Sequence, residues 1–201
     1  MCGIAGILSF GADVGEEQLS AMKTSLLHRG PDGNGVWCAG KVGFVHTRLA
    51  ILDPSPSGTQ PMLSPEKDLV ITYNGEIYNF PELRRDLERQ GWMFRTRTDT
   101  EIILAGYKHY GIGFVDKLEG MFAFAIWDGT RLFLARDRFG MKPLYTMQTK
   151  EVFLFASEPK ALIASGVRLE VNPQGLLQTL VLNSSQGRET VYRNVESLDP
   201  G

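Results

Sequence analysis

Cysteine is scarce in this chain: 201 residues carry two, Cys2 and Cys38. Neither belongs to a C-x-x-C pair, which argues against a disulfide framework and a thiol zinc site. The three histidines, His28, His46 and His109, stand apart from carboxylates and cysteines at ligand spacing, so no metal centre is expected. No apolar run approaches the ~18 residues that suggest a membrane helix, and the N-terminus lacks a basic stretch leading into a long apolar one. Excess charge of one sign is missing too. With 21 basic and 23 acidic residues, net −2, there is no overall electrostatic case for nucleic acid or an anionic membrane. Arg84 and Arg85 lie among Glu82, Asp86 and Glu88, the pattern of a solvated helix face. Phosphate-binding loops are also wanting: Gly111-Ile112-Gly113 stops short of G-x-G-x-x-G, and there is no Walker A. Asp137-Arg138-Phe139-Gly140 is not the kinase Asp-Phe-Gly, because neither a Gly-rich phosphate loop nor a catalytic loop accompanies it. A reducing cytoplasm, which suits a free thiol, is the expected compartment.

What is present describes an ordinary globular protein, 43% hydrophobic and 22% charged, of a length that fits one domain or at most two. There is no repeat, low-complexity tract or obvious linker before the end. Residues 1–9 read as a short apolar strand carrying Cys2 at its tip. Residues 16–28 place Leu19, Met22, Leu26 and Leu27 on one helical face, and Gly and Pro within 29–35 end it. Strand-like runs follow at 42–46 and 69–73. One helix enters at Asn79, three residues before Glu82, with Pro81 in its opening turn and Gly91 as its stop. Another enters at Thr98, three residues before Glu101, and stops at Gly111; Asp99 falls in its first turn, where the dipole favours a carboxylate. Runs at 121–127 and 132–135 flank an Asp128-Gly129 turn, runs at 144–147 and 152–156 flank another, and 176–182 reads as a last helix. The order predicts an α+β layered fold with largely antiparallel sheets. Cys38 is expected to be a small buried hydrophobe.

The residues with chemical potential each carry a plainer reading as well. Removal of Met1 would leave Cys2 with both a thiol and a free α-amine, a nucleophile with its own base. The amine has an ordinary pKa of about 7.7 to 8.0, so a useful fraction is neutral near physiological pH. Tyr73-Asn74-Gly75-Glu76 follows a strand, and Asn-Gly is the strongest short hairpin signal. Functionally, the Asn74 amide and the unobstructed Gly75 N–H could converge on one oxyanion. Arg48 in an apolar run is either a snorkelling residue or a fork for a carboxylate. Asp99 serves the helix end or holds a ligand ammonium, and Arg29-Gly30-Pro31-Asp32-Gly33 is by composition a turn.

These segments, taken together, resemble one family. Met1-Cys2-Gly3-Ile4-Ala5-Gly6, Arg29-Gly30-Pro31-Asp32, Arg48-Leu49-Ala50-Ile51, Gln60-Pro61-Met62, Tyr73-Asn74-Gly75-Glu76-Ile77-Tyr78-Asn79 and Thr98-Asp99-Thr100-Glu101 are part of the likeness. Gly120-Met121-Phe122-Ala123-Phe124-Ala125, the run from Ala135 through Arg136-Asp137-Arg138-Phe139-Gly140 to Tyr145, and Phe155-Ala156-Ser157-Glu158 complete it. In order, they look like the N-terminal glutaminase domain of glutamine-hydrolysing asparagine synthetases, within the class II glutamine amidotransferases. The resemblance implies an N-terminal-nucleophile hydrolase fold, a four-layer αββα sandwich with two antiparallel sheets, spanning residues 1–201.

It also implies roles. Cys2 would attack the carboxamide of glutamine, and Asn74 and Gly75 would stabilise the oxyanion. Arg48 would bind the substrate carboxylate and Asp99 its ammonium, with Glu76 a weaker candidate beside Asp99. Backbone groups of Leu49 and Ile51 would line the pocket, and Arg29 would support the Cys2 strand. No cofactor or metal is implied for this domain; ATP and Mg belong to a synthetase domain, its partner in full-length relatives, which makes asparagine from aspartate. That domain's Ser-Gly-Gly-x-Asp-Ser loop does not occur before Leu198-Asp199-Pro200-Gly201, an ending similar to the Leu-Pro-Pro-Gly junction but with Asp199 in place of the first Pro. The chain therefore reads as one half of a longer enzyme. Two alternatives stay open: an amidotransferase serving another acceptor, such as a sugar or polymer precursor, and a catalytically silent interaction module. The residues leave homo-oligomer formation undecided.

Overall fold

The computed structural model describes residues 1–183 and 187–201. Alternating apolar residues build two antiparallel sheets. The first contains β1 (Gly3–Ser9), β2 (Gly33–Ala39), β3 (Val42–Arg48), β8 (Tyr145–Gln148), β9 (Val152–Ala156) and β10 (Val195–Ser197), in the order β10-β8-β9-β1-β3-β2. The second contains β4 (Met62–Leu63), β5 (Val70–Ile77), β6 (Gly120–Trp127) and β7 (Leu132–Arg136), in that order. Among the described residues run five α-helices, α1 (Glu16–Leu26), α2 (Phe80–Arg89), α3 (Asp99–Tyr110), α4 (Pro159–Ala164) and α5 (Pro173–Leu182), of which α1 to α4 pack on the sheets. None is long and apolar enough to cross a membrane.

Strand periodicity decides which face each residue serves. Ile4, Val42, Phe44 and Phe155 from the first sheet meet Val70, Ala123 and Ala125 from the second. On the opposite face of the first sheet, Ala5, Ile7 and Val45 pack against Leu19, Met22, Leu26 and Leu162 of α1 and α4. On the outer face of the second, Ile71, Tyr73, Phe122 and Phe124 pack against Leu83, Leu87, Ile102 and Ile103 of α2 and α3. These three cores make four layers: helix, sheet, sheet, helix. Gly6 leaves room on this inner face for the ring of its cross-strand neighbour Phe155; a Cβ there would lie 2.3 Å from it.

Several local expectations give way to tertiary context. Asn74-Gly75 does not form a hairpin: both residues lie within β5, opposite Ala123 and Phe122 of β6. A Cβ at Gly75 would lie 2.3 Å from the Met121 carbonyl oxygen, so the glycine answers a close backbone approach rather than a turn. Residues 33–39, of which the helix-stop reading takes in only 33–35, form the edge strand β2 against β3. Cys38 is exposed on that edge rather than buried, its thiol donating to the Val14 carbonyl at 3.6 Å. Asn79 makes no side-chain cap for α2; its amide bonds Lys117 O at 2.9 Å and Glu119 N at 3.1 Å, tying the helix start to the loop that leads into β6. Thr98 does cap α3, accepting from Glu101 N at 3.4 Å. The Glu101 carboxylate completes no capping box, because it accepts from the Arg95 and Thr96 N–H groups instead. Asp128-Gly129 is the expected β6–β7 turn, with Gly129 at φ +87°.

The start of β1 is held from both sides. Ile4 N–H donates to Ser157 Oγ at 3.0 Å, and Arg29 Nε donates to the Cys2 carbonyl at 2.9 Å. Arg29 Nη1 in turn pairs with Glu158 at 2.8 Å, and His28 and Lys160 reach the same carboxylate, each at 3.0 Å. Burial pushes the Glu158 carboxyl up, but the hydrogen bonds from Arg29, Lys160 and His28 together outweigh it and bring the pKa down to about 2. A depressed folded pKa stabilises the protein above the ordinary value of 4.5, and that contribution disappears as pH falls through about 2. Glu158→Gln should therefore lower the thermal midpoint at neutral pH, with the gap from the parent closing between about pH 4.5 and 2. Thermal melts followed by circular dichroism across that window check it; a gap of constant size would show that the Glu158 charge contributes nothing.

Candidate active site

A cavity of about 210 Å³ opens where the tip of β1, the end of β3, the middle of β5 and the start of α3 converge. Cys2, Arg48, Leu49, Ile51, Asn74, Gly75, Glu76 and Asp99, dispersed over almost a hundred positions of sequence, all line it. Arg29 stands behind the wall, on the Cys2 carbonyl.

Cys2 belongs to the face of β1 that carries Ile4 and looks toward the second sheet. Its sulfur sits on the Leu49 backbone, accepting from N–H at 3.4 Å and donating to O at 3.6 Å. Burial raises the thiol pKa, while the Leu49 bond, the chain's positive N-terminus, Arg48 and Arg29 pull it back without reversing the shift. A thiol in this setting needs a base to become a nucleophile. The Met1 side chain lies on the cavity wall, its sulfur 3.6 Å from Lys142 Nζ.

Opposite, the open edge of β5 supplies polar groups. In an antiparallel strand alternate residues direct N–H and C=O to the same side. Tyr73 N–H goes to Gln60 Oε1 at 2.7 Å and Ile77 N–H to Asp99 Oδ2 at 3.0 Å, both away from β6. Gly75, between them, presents its N–H on that same edge, at the cavity. The Asn74 side chain is 1% exposed, and its Nδ2 has no hydrogen-bond partner among the described residues. A buried unpartnered amide is costly, and such groups are usually satisfied by something that binds.

Two charged groups flank these donors. Arg48 Nη1 donates to Ser55 O at 2.8 Å and Nη2 to Asp53 O at 2.5 Å, so carbonyls aim the guanidinium without neutralising it. Gly58 makes room for it, since a Cβ there would fall 2.2 Å from Nη2. Asp99 is 4% exposed and accepts from Tyr73 Oη at 2.6 Å. Burial raises its pKa, opposed by the bonds from Tyr73, Ile77 and the first amides of α3.

Sequence reading gave no site role to His46, weighed there only as a metal ligand, nor to Lys142 and Tyr73, all three on this wall. His46 is fully enclosed; Nε2 bonds Tyr73 O at 3.1 Å, Nδ1 has no partner among the described residues, and burial lowers the pKa to about 3, so the ring is neutral. Lys142 is 7% exposed, on a loop gathered by Asp137, which accepts from the N–H groups of Phe122, Phe139, Met141 and Lys142. Tyr73 is bonded to Asp99 across 26 residues of sequence. A histidine in an apolar strand is the available signal for the first; nothing local marks the other two.

Comparison with known proteins supplies the family. The chain matches the family described as glutamine amidotransferase domain over residues 1–201. Asparagine synthetase [glutamine-hydrolyzing] 1 of Bacillus subtilis is 39% identical over 208 residues, an alignment that takes in 100% of this chain and 33% of that protein. A putative asparagine synthetase [glutamine-hydrolyzing] 2 of Methanocaldococcus jannaschii is 40% identical over 222 residues, covering 99% of this chain and 42% of its own. The chain thus spans roughly a third of the curated relatives it matches. Among solved structures, glutamine phosphoribosylpyrophosphate amidotransferase from B. subtilis, complexed with ADP and GMP, superposes with TM-score 0.71 at 25% identity, over 86% of this chain and 46% of that one. A structure of the allosteric regulatory enzyme of purine biosynthesis gives TM-score 0.74 at 24% identity, over 100% and 46%, a likeness of fold. With the whole chain matched and the four-layer N-terminal-nucleophile hydrolase sandwich in place, this chain belongs to the glutamine amidotransferase domain family.

Proposed function

We infer that this domain hydrolyses glutamine to glutamate and ammonia on Cys2, and that in the longer proteins the ammonia passes to a synthetase domain that amidates aspartate. The observation that carries the reading is the pairing, on one cavity, of the Cys2 sulfur with the buried, unpartnered Asn74 amide. With Met1 removed, the Cys2 α-amine takes the thiol proton, and the sulfur attacks the carboxamide carbon. Charge develops on the former carbonyl oxygen, where Asn74 Nδ2 and Gly75 N–H donate. Collapse breaks the C–N bond, the ammonium returns its proton to the departing ammonia, and a thioester remains. Water then adds to the thioester, and glutamate leaves as the thiol is restored.

Recognition divides between the flanking charges. Arg48, held by two carbonyls, takes the substrate carboxylate, and Asp99 takes the ammonium with Glu76 beside it. Leu49 and Ile51 line the cavity, and Arg29 keeps the Cys2 carbonyl, and with it the nucleophile, in place. The reaction so drawn uses no metal and no nucleotide, and turnover should persist in the presence of a chelator. A free catalytic thiol suits a reducing cytoplasm.

Three outcomes test these roles. Cys2→Ala should abolish turnover, and so should retention of Met1, whose peptide bond ties up the base. An electrophilic glutamine analogue, followed by intact mass, should add once to processed protein at Cys2 and leave Met1-retaining protein unlabelled; equal labelling of both would refute the α-amine's role. Asn74→Ala should reduce kcat by roughly 10² to 10³ while the thermal midpoint stays near that of the parent. Collapse of the thermal transition would instead make Asn74 a structural residue. Arg48→Ala should raise KM for glutamine by about ten- to a hundred-fold, the range for losing a hydrogen-bonded charge partner, with the smaller effect on kcat; unchanged steady-state kinetics would leave Arg48 as a loop anchor.

A further inference from the structure

Tyr73 carries more than its ring requires. The side chain is 2% exposed within the core beneath α3, among Ile71, Phe122 and Ile103, a site that a phenyl ring would fill equally well. Its hydroxyl is a buried polar group that needs a partner, and the partner is Asp99 Oδ2 at 2.6 Å. That length is characteristic of a hydroxyl donating to a carboxylate. Burial, and the Asp99 charge behind it, raise the Tyr73 hydroxyl well above its ordinary pKa, so the proton stays on tyrosine and the direction of donation is settled.

The surroundings make this bond a positioning device. Tyr73 cannot drift, because Gln60 Oε1 accepts its N–H at 2.7 Å and His46 Nε2 donates to its carbonyl at 3.1 Å. Gln60 Nε2 also reaches Thr100 Oγ1 at 3.2 Å, locking the first turn of α3 to the same point of β5. Asp99 Oδ2 receives a second bond from Ile77 N–H at 3.0 Å. Both of these bonds fall on one carboxylate oxygen. We propose that Tyr73 positions Asp99 for the ammonium of glutamine, its hydroxyl holding Oδ2 so that Oδ1 is the oxygen offered to the substrate. This rests on the assignment of Asp99 as the ammonium partner.

A consequence follows for pH. Burial already biases Asp99 toward its neutral form, and the Tyr73 hydroxyl is the first of the groups that oppose the bias. Without that hydroxyl the carboxyl would protonate at higher pH, and ammonium binding would fail first on the acid side. The other ionisable side chains on the cavity wall are Cys2, His46, Arg48, Glu76 and Lys142. They are common to parent and variant, so a difference between the two pH profiles belongs to the Tyr73–Asp99 pair.

The experiment is steady-state glutamine hydrolysis by processed parent, Tyr73→Phe, Asp99→Asn and the double variant, from acid to neutral pH. Tyr73→Phe should raise KM about ten-fold near neutrality, as expected for a lost hydrogen bond to a charged group, and leave kcat within about two-fold. The KM ratio should grow as pH falls, and Tyr73→Phe should add nothing further in the Asp99→Asn background. A KM ratio that is the same at every pH and persists in that background would make Tyr73 a packing residue and overturn the proposal while leaving Asp99 as the ammonium partner. An Asp99→Asn variant with unchanged KM would overturn the assignment of Asp99 itself, and the role of Tyr73 with it.

Discussion

The edge of β5 is the constraint from which the site follows. Its neighbour on that side, β4, is two residues long and pairs only with Val70 and Ile71. Beyond that pairing, the N–H groups of residues 73, 75 and 77 have no strand to bond, and buried backbone donors must be satisfied. Gln60 takes the first and Asp99 the third. The second, on Gly75, is left at the cavity beside the unpartnered Asn74 amide. A longer β4 would have closed the edge and with it the cavity. The same shortage of strand pairing that leaves a donor facing the cavity also draws α3 into place, because Gln60 and Asp99 link its first turn to β5.

Electrostatics then sort the walls. The cations near the sulfur, Arg48 and Arg29, lower the thiol pKa less than burial raises it, so proximity of positive charge does not by itself make Cys2 a thiolate. That balance is the physical reason for assigning proton transfer to an α-amine. His46 would be the obvious rival base, yet its Nε2 is committed to Tyr73 O and burial holds its pKa near 3. Arg48 is anchored by carbonyl dipoles and keeps its full charge for an incoming anion. Asp99 is anchored by a hydroxyl and amides, which leaves a negative group for an incoming cation. The two anchors therefore set opposite charges on one cavity, the complement of an amino acid's two ends.

What could be read from the chain alone divides by the range of the interaction. Helices marked by an apolar face, as α1 is, or by a cap, as α3 is, were legible because their signals lie within a few residues. The layered antiparallel fold followed from the order of those signals. Asn74-Gly75 misled because its local chemistry favours a hairpin, whereas the Met121 carbonyl at Gly75 and the pairing with β6 extend the strand instead. Cys38 misled for a similar reason: composition makes cysteine a buried residue, but its strand lies at a sheet edge, and strand order is a tertiary property. Asn79 sits at a helix start and is spent on a neighbouring loop. The residues of the candidate site were found through resemblance of segments, and their convergence on one cavity belongs to the packing of the two sheets.

The Tyr73–Asp99 pair marks where such reading ends. Neither residue announces the other, since 26 positions separate them and each has a sufficient local explanation, one as a core aromatic and one as a helix-start acid. Their bond exists because α3 packs on the outer face of the second sheet while its N-terminus reaches past the end of β4 to the open edge. One side chain thereby joins the apolar core to the polar cavity: the ring is held by the core beneath α3, and the hydroxyl carries that rigidity to a carboxylate. If Asp99 takes the substrate ammonium as proposed, the precision of that site would come from hydrophobic packing, delivered through a single oxygen atom.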